Sequence, residues 1–199
     1  MRTVLILGSL LGLALPLTTS EAIAQPPPPP PMGGPATGGM EAAAEPKMRF
    51  EGGLIIGLPQ GDFEGADTSI GIGLIFGATV APNISVFGGL RYIKVSIADA
   101  PEGFDLAYYD LVAGARYTAP MSPTMKVFGE AYLAYATVSA SAGGESASES
   151  GIGFGARGGA IFMMSPSFGI GGGLGYSTAS INEGTAAWLT LDGFAHVGF

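Results

Sequence analysis

The sequence predicts an all-β protein: an eight-stranded antiparallel up-and-down transmembrane β-barrel behind a disordered, Pro-rich N-terminal segment. Three observations predict it. First, the stretch Ala186–Phe199 alternates. Leu189, Leu191, Gly193, Ala195 and Val197 share one register with Phe199, while Trp188, Thr190, Asp192, Phe194 and His196 fill the other. A period of two marks a strand with different surroundings on its two faces. Second, charged residues are only 12% of the chain and mean hydropathy is +0.41, where soluble domains carry about a quarter charged residues. Yet beyond the extreme N-terminus no apolar run approaches the ~20 residues of a membrane helix. Third, Pro- and Gly-containing connections recur at regular spacing, cutting the chain into long strands.

Residues 1–24 read as a cleaved secretory signal peptide. Arg2 supplies the basic start, Val4–Leu17 is an apolar run of 17 − 4 + 1 = 14 residues, and Ala22-Ile23-Ala24 is a small-x-small cleavage site. Pro16 and the shortness of the run argue against an uncleaved anchor. The chain has no Cys, which excludes disulfides, thiolate metal sites and lipidation after the signal. Residues 25–47 read as a linker. Pro26–Pro31 favours polyproline II, and the remainder holds too few bulky apolar residues to fold. A periplasmic spacer is the plain reading; a docking segment for an envelope partner is the sharper one.

From Met48 to Phe199 the chain reads as the barrel. The expected strands are Met48–Leu58, Ser69–Val80, Ile84–Ile97, Phe104–Thr118, Met125–Val138, Gly151–Met164, Phe168–Ser180 and Ala186–Phe199. Each exceeds the ~9–11 residues that cross a bilayer at a tilt. Polar connections (59–68, 98–103, 139–150, 181–185) alternate with short Pro-containing turns at Pro82, Pro120 and Pro166. An even strand number with this alternation puts both chain ends on the short-turn side, which in outer-membrane barrels is periplasmic.

The two faces then follow residue by residue. In Ala107–Thr118, the register of Tyr109, Leu111, Ala113, Ala115 and Tyr117 is apolar, and Asp110 and Arg116 fall in the other. The same division along the barrel gives an inward set of Arg49, Glu51, Arg91, Asp110, Arg116, Lys126, Glu130, Arg157, Asp192 and His196. Of these, Glu51, Arg91, Asp110, Arg116, Glu130, Arg157, Asp192 and His196 are expected to form a charge network in the lumen, since a lone charge there is costly and a paired one tolerated. Lys94 is the exception and faces out near a strand end. Tyr92, Tyr109, Tyr117 and Tyr135 are expected in aromatic girdles. Inward glycines such as Gly73, Gly155 and Gly171 leave room for long side chains in a narrow bore.

Composition and motifs exclude most other functions. With 8 basic against 16 acidic residues and a net charge of −8, the chain offers no nucleic-acid surface. Gly153-x-Gly155-x-x-Gly158 spells a dinucleotide fingerprint but lies within a strand. Gly175–Ala179 is a degenerate nucleophile elbow without a strand-to-helix turn, and Ser177 and His196 fall at opposite ends of their strands. Asn83-Ile84-Ser85 spells a glycosylation sequon inside a tight turn. Asp62, Glu64, Asp67, Asp99, Glu102, Asp105, Glu145, Glu149 and Glu183 form an acidic rim. It could share divalent cations with lipopolysaccharide, but its spacing matches no calcium loop. No cofactor and no metal site is expected.

The signal peptide, eight long strands, alternating connections and terminal Phe199 resemble the small eight-stranded outer-membrane barrels of Gram-negative bacteria, typified by the OmpA transmembrane domain and OmpX. Leu58-Pro59-Gln60-Gly61-Asp62-Phe63 is similar to the opening of the first loop in many of them. The resemblance covers Met48–Phe199. It implies outer-membrane lipid and lipopolysaccharide as surroundings, and barrel-assembly machinery that reads Phe199, Val197 and Leu191 as an assembly signal. One departure is that OmpA carries a peptidoglycan-binding domain after its barrel, where this sequence stops. The expected function is non-enzymatic, structural or surface-interactive. The alternatives are a narrow channel for ions or small solutes and, more remotely, a barrel enzyme acting on outer-membrane lipid.

Overall fold

The computed structural model describes residues 46–62, 66–97, 100–101, 103–182 and 184–199. The expected signal peptide and all of the expected linker but its last two residues, Pro46 and Lys47, lie outside them. Eight strands follow in order: β1 (Met48–Gly61), β2 (Asp67–Ala81), β3 (Ile84–Ser96), β4 (Asp105–Ser122), β5 (Met125–Ala142), β6 (Glu145–Met163), β7 (Phe168–Ile181) and β8 (Gly184–Gly198). Each pairs antiparallel with the next, and β8 returns to β1 along Arg49↔Gly198 through Gly61↔Ala186, closing the barrel. Closure removes both sheet edges, so the strand backbones satisfy one another without water. We call the end where β1 begins and β8 finishes proximal, and the opposite end distal.

The proximal connections are short. Pro82-Asn83 joins β2 to β3 with Asn83 at φ 64°, Pro123-Thr124 joins β4 to β5, and Met164–Ser167 joins β6 to β7. Proline is tolerated there because no ladder N–H is needed. β4 runs past its expected end at Thr118, through Ala119 and Pro120, with a register irregularity between Pro120 and Ser122.

The largest departure from the sequence reading is at the distal end. Residues 139–150, expected as a loop, are strand. β5 continues to Ala142, β6 starts at Glu145, and Gly143-Gly144 forms a two-residue turn with φ of 60° and 89°. Both glycines being left-handed gives the twist of a type I′ hairpin. On β6, pairing with β7 begins only at Gly151↔Ile181. Glu145–Ser150 therefore overhangs the barrel, exposed on both faces. With water on both sides there is no reason for alternation, and its absence concealed the strand.

Elsewhere the faces divide as expected. Leu54, Ile70, Leu111, Leu133, Ile152, Phe154 and Leu174 point outward as a belt far larger than a soluble monomer exposes. Inside, the bore is filled in layers. The distal half packs Ile55, Ile93, Val95, Leu106, Tyr108 and Trp188 together, with Tyr108 and Trp188 rings 5.5 Å apart. The proximal half holds Phe128, Ile161, Met163 and Phe194. Eight strands leave an interior that side chains just fill. Inward glycine makes this possible: a Cβ at Gly171 would strike the Phe194 ring, and one at Gly155 the Tyr132 ring.

Candidate functional site

Between the two apolar layers lie the inward charges. Strand register brings several together without further help. Arg116↔Glu130 and Glu130↔Arg157 are cross-strand partners on β4, β5 and β6, as are Glu51↔His196 on β1 and β8 and Arg91↔Asp110 on β3 and β4. Opposite charges at such positions attract at short range.

Glu51 is the hub of the larger cluster. Arg116 reaches it across the bore from a strand that shares no edge with β1. Its Nη1 donates to Glu51 Oε1 at 2.5 Å and its Nη2 to Oε2 at 2.8 Å, a bidentate grip. Arg116 Nε also donates to Glu130 Oε2 at 2.8 Å. Arg157 extends the cluster. Its Nε stands 2.8 Å from Glu130 Oε1, its Nη1 donates to Asp192 Oδ2 at 2.9 Å, and its Nη2 to Glu51 Oε2 at 3.4 Å. His196 Nδ1 lies 3.0 Å from Glu51 Oε1. Aromatic faces complete the shell: Arg116 lies 4.3 Å above the Phe128 ring, and Arg157 is 5.0 Å from Phe128 and 5.1 Å from Phe194. Glu51 and Arg116 are almost fully buried, at 2% and 1% exposure.

Arg91 and Asp110 stand apart from this cluster. Arg91 Nε donates to Asp110 Oδ1 at 2.8 Å, Nη2 donates to Oδ2, and Nη1 donates to the Tyr132 hydroxyl at 2.7 Å. The eight network residues expected from sequence thus divide into a pair bound to Tyr132 and a six-membered cluster. A cavity of about 30 Å³ lies among them, lined by Glu51, Arg91, Glu130, Tyr132, Arg157 and Asp192 with apolar neighbours; that is room for about two waters. Sequence reading missed Tyr132 as the third member of the pair, although it lies in the inward register of β5.

The remaining expected positions are also placed. Phe199, Val197 and Leu191 are exposed on the outer surface. Phe199 exchanges backbone hydrogen bonds with Met48 at 2.9 Å in both directions. Tyr92 and Tyr109 are cross-strand partners near the distal end, rings 5.0 Å apart. Tyr117 is outward near the proximal end of β4, and Tyr135 is outward on β5 opposite Leu111. Lys94 points outward and pairs with Asp105 at 3.0 Å.

No catalytic geometry joins Ser177 and His196. Ser177 is opposite Trp188 and His196 opposite Gly169, so 196 − 188 = 8 rungs separate them along the β7–β8 ladder, about 26 Å at ~3.3 Å per residue. Gly153–Gly158 and Gly175–Ala179 lie within β6 and β7. Among the described residues no cluster of His, Asp and Glu is arranged to hold a metal.

Comparison with known proteins finds a family model described as outer membrane protein beta-barrel domain over residues 34–195. Among solved structures, Neisserial surface protein A aligns at 17% identity over 77% of this chain and 97% of its own, with a TM-score of 0.68. Ail, the attachment invasion locus protein of Yersinia pestis, aligns at 17% identity over 76% and 99%, with a TM-score of 0.52. Ail in complex with the heparin analogue sucrose octasulfate gives 16% identity at the same coverage and TM-score. These likenesses concern the fold. Comparison with curated proteins finds no match.

Proposed function

The chain belongs to the outer-membrane β-barrel domain family, and from that premise we propose that it is a non-enzymatic integral barrel with a structural or surface-interaction role in the cell envelope. The observation that carries this reading is a bore packed with side chains across its distal half and bridged by ion pairs below, beneath an apolar outer belt. The distal layer, with Trp188 and Ala136 wholly buried and Tyr108 at 1% exposure, is tightly packed, and the layer beneath it is knit by ion pairs. That filling argues against the narrow-channel reading, and the separation of Ser177 from His196 argues against a lipid enzyme.

The family's place is the outer membrane. In the finer reading, the signal is cleaved after Ala24 and both termini are periplasmic, so the proximal end faces the periplasm. Phe199, Val197 and Leu191 serve the assembly machinery, and Tyr92, Tyr109, Tyr117 and Tyr135 meet lipid and lipopolysaccharide headgroups. The distal end then presents the Gly143-Gly144 hairpin outside the cell. Its described acids include Asp62, Asp67, Asp105, Glu145 and Glu149, against Lys94, which is already paired. Such a surface suits a cationic or cation-bridged partner. The Ail complex shows a sulfated polyanion bound to Ail; here acidic charge would repel one.

Two measurements test the reading together. The purified chain should need detergent for extraction, change SDS-gel mobility on boiling, and give no conductance in planar bilayers. Discrete ion currents from the folded protein would support the channel reading instead, and recovery as a salt-soluble protein would remove both.

A further inference from the structure

At the distal end the sheet is one strand short beside β6. β5 is flanked by β4 as far as Asp105↔Ser141, but β7 leaves β6 at Gly151↔Ile181 and turns back at Asn182, with φ of 53°. Beyond that point Glu145–Ser150 keeps β5 on one side, and among the described residues no strand pairs with its other side. Successive residues of an antiparallel strand turn their N–H and C=O groups to opposite sides. Every second residue here therefore offers both groups to the open side, along about 20 Å at ~3.3 Å per residue. The ribbon that carries this edge is already formed. Its ladder with β5 runs without irregularity to Ala142↔Glu145. Its foot is held by the hydroxyls of Thr137 and Ser150, 2.9 Å apart, and by Asn182 Nδ2, which donates to Glu149 Oε1 at 3.3 Å.

The side chains along the edge select what can join it. Glu145, Ala147 and Glu149 continue the register of the inward Gly153 and Gly155, while Ser146, Ser148 and Ser150 continue that of the outward Ile152 and Phe154. All six are exposed, and the stretch 139–150 holds no Lys or Arg to neutralise the two carboxylates. A second copy of the chain fits this pattern badly. Antiparallel pairing of the edge with itself, Ala147 opposite Ala147, sets Glu145 opposite Glu149 at both ends, and like charges directly opposite destabilise a sheet. Such charges guard an edge against its own kind, yet they attract a strand of the other sign.

We propose, building on the surface-interaction reading, that the open edge of Glu145–Ser150 takes up an extended, basic segment of another polypeptide as an added strand. Main-chain hydrogen bonds supply the affinity. Selectivity comes from two cations four residues apart, set opposite Glu145 and Glu149, with a small residue between them opposite Ala147.

The test uses the full mature chain folded in a non-ionic detergent. The probe is a short fluorescent peptide of alternating Thr and Val that carries two Lys four positions apart, titrated by anisotropy. One comparison peptide has Glu in place of Lys. Another keeps the Lys but is N-methylated along its backbone, which preserves the charge and removes the ladder donors. The expected result is saturable binding of the Lys peptide alone, with new hydrogen-exchange protection at alternate amides of Glu145–Ser150. Replacing Glu145→Gln and Glu149→Gln together should weaken binding about fivefold, the scale of two exposed ion pairs. Asp67→Asn on β2, four strands away round the barrel, should leave it unchanged. Equal binding of the N-methylated peptide, or binding without protection of the edge amides, overturns strand addition. So does self-association of the parent chain that protects the same amides, which would make a second copy the occupant. Heat-modifiable gel mobility in the same samples reports the barrel itself, so a folded barrel that does not take the Lys peptide overturns the added strand and leaves the surface role standing.

Discussion

Replacing Arg116 by Met removes a side chain that ties β4 to β1 across the bore. Arg116 and Glu51 are both almost fully buried, so the relevant scale is that of buried pairs. Stripping one partner there costs ~3–5 kcal/mol, against about 0–1 kcal/mol for exposed pairs. Glu51 would keep Arg157 Nη2 at 3.4 Å and His196 Nδ1 at 3.0 Å, which places the expected loss at the lower end, about 3 kcal/mol. For a chain of this size each kcal/mol moves the midpoint by about 2–4 °C, so the barrel should unfold roughly 6–12 °C earlier. The assay is the temperature at which the unboiled form disappears on SDS gels. Double-mutant cycles give the sharper readout. Glu51→Gln and Arg116→Met should cost less together than the sum of the two, by about 0.5–3 kcal/mol, because they belong to one cluster. Asp110→Asn should add to Arg116→Met. Their positions are 116 − 110 = 6 residues apart on β4, about 20 Å, and among the described residues no ion pair joins their clusters. A midpoint within about 2 °C of the parent for Arg116→Met, or coupling between the Asp110 and Arg116 substitutions, would refute the reasoning.

Four further outcomes are expected. Gly155→Ala puts a Cβ into the Tyr132 ring and should lower stability by about 1–3 kcal/mol, while Gly193→Ala, whose Cβ meets nothing within 4 Å, should be neutral in the same melting assay. Leu133→Arg should hinder insertion by roughly 2–4 kcal/mol if near the midplane, measured by folding into vesicles; normal assembly of Leu133→Arg beside failure of Tyr132→Arg would reverse the assigned faces of β5. A short tag between Gly143 and Gly144 should be tolerated and label from outside intact cells, whereas one at Pro166 should not be reached. Deleting Phe199 should reduce membrane assembly far more than deleting Pro26–Ala44, read by heat-modifiable protein in membrane fractions.

Much of this barrel is legible because period-two alternation is a direct report of two solvents. Where lipid faces one side and a packed bore the other, Asp110 and Arg116 could be placed inward from β4 alone. Cross-strand pairs such as Arg116 and Glu130 then need only the register. The method fails where its physical cause is missing. The overhang Glu145–Ser150 has water on both faces and therefore no alternation, though Gly143-Gly144 was a hairpin signal. It also fails where contacts cross the bore. That Glu51 meets Arg116, and that Arg91 binds Asp110 and Tyr132 apart from the rest, depend on strand stagger and depth, which no single strand encodes. The contact of Arg49 with Ser85 escaped notice for a related reason: they are ordinary inward residues of β1 and β3, two strands that share no edge.

The two fillings of the bore follow different rules, and this explains their order. An apolar layer is complete once its volume is filled. Ile55, Ile93 and Leu106 need only space, and the bulk of the Trp188 ring is accommodated by Gly57, where a Cβ would lie 3.0 Å from the indole. A charged layer must also close its hydrogen bonds, because each unmatched group in a dry bore is penalised by the same low dielectric that strengthens the matched ones. The cations of the central layer divide their charge among several acids: Arg116 between Glu51 and Glu130, Arg157 among Glu130, Asp192 and Glu51. Closure of that kind requires as many acceptor oxygens as donor edges. Arg116 meets that requirement, while Arg157 Nε and Asp192 Oδ1 in the centre, and Arg49 Nε and Nη2 toward the proximal end, are left without a hydrogen-bond partner among the described residues.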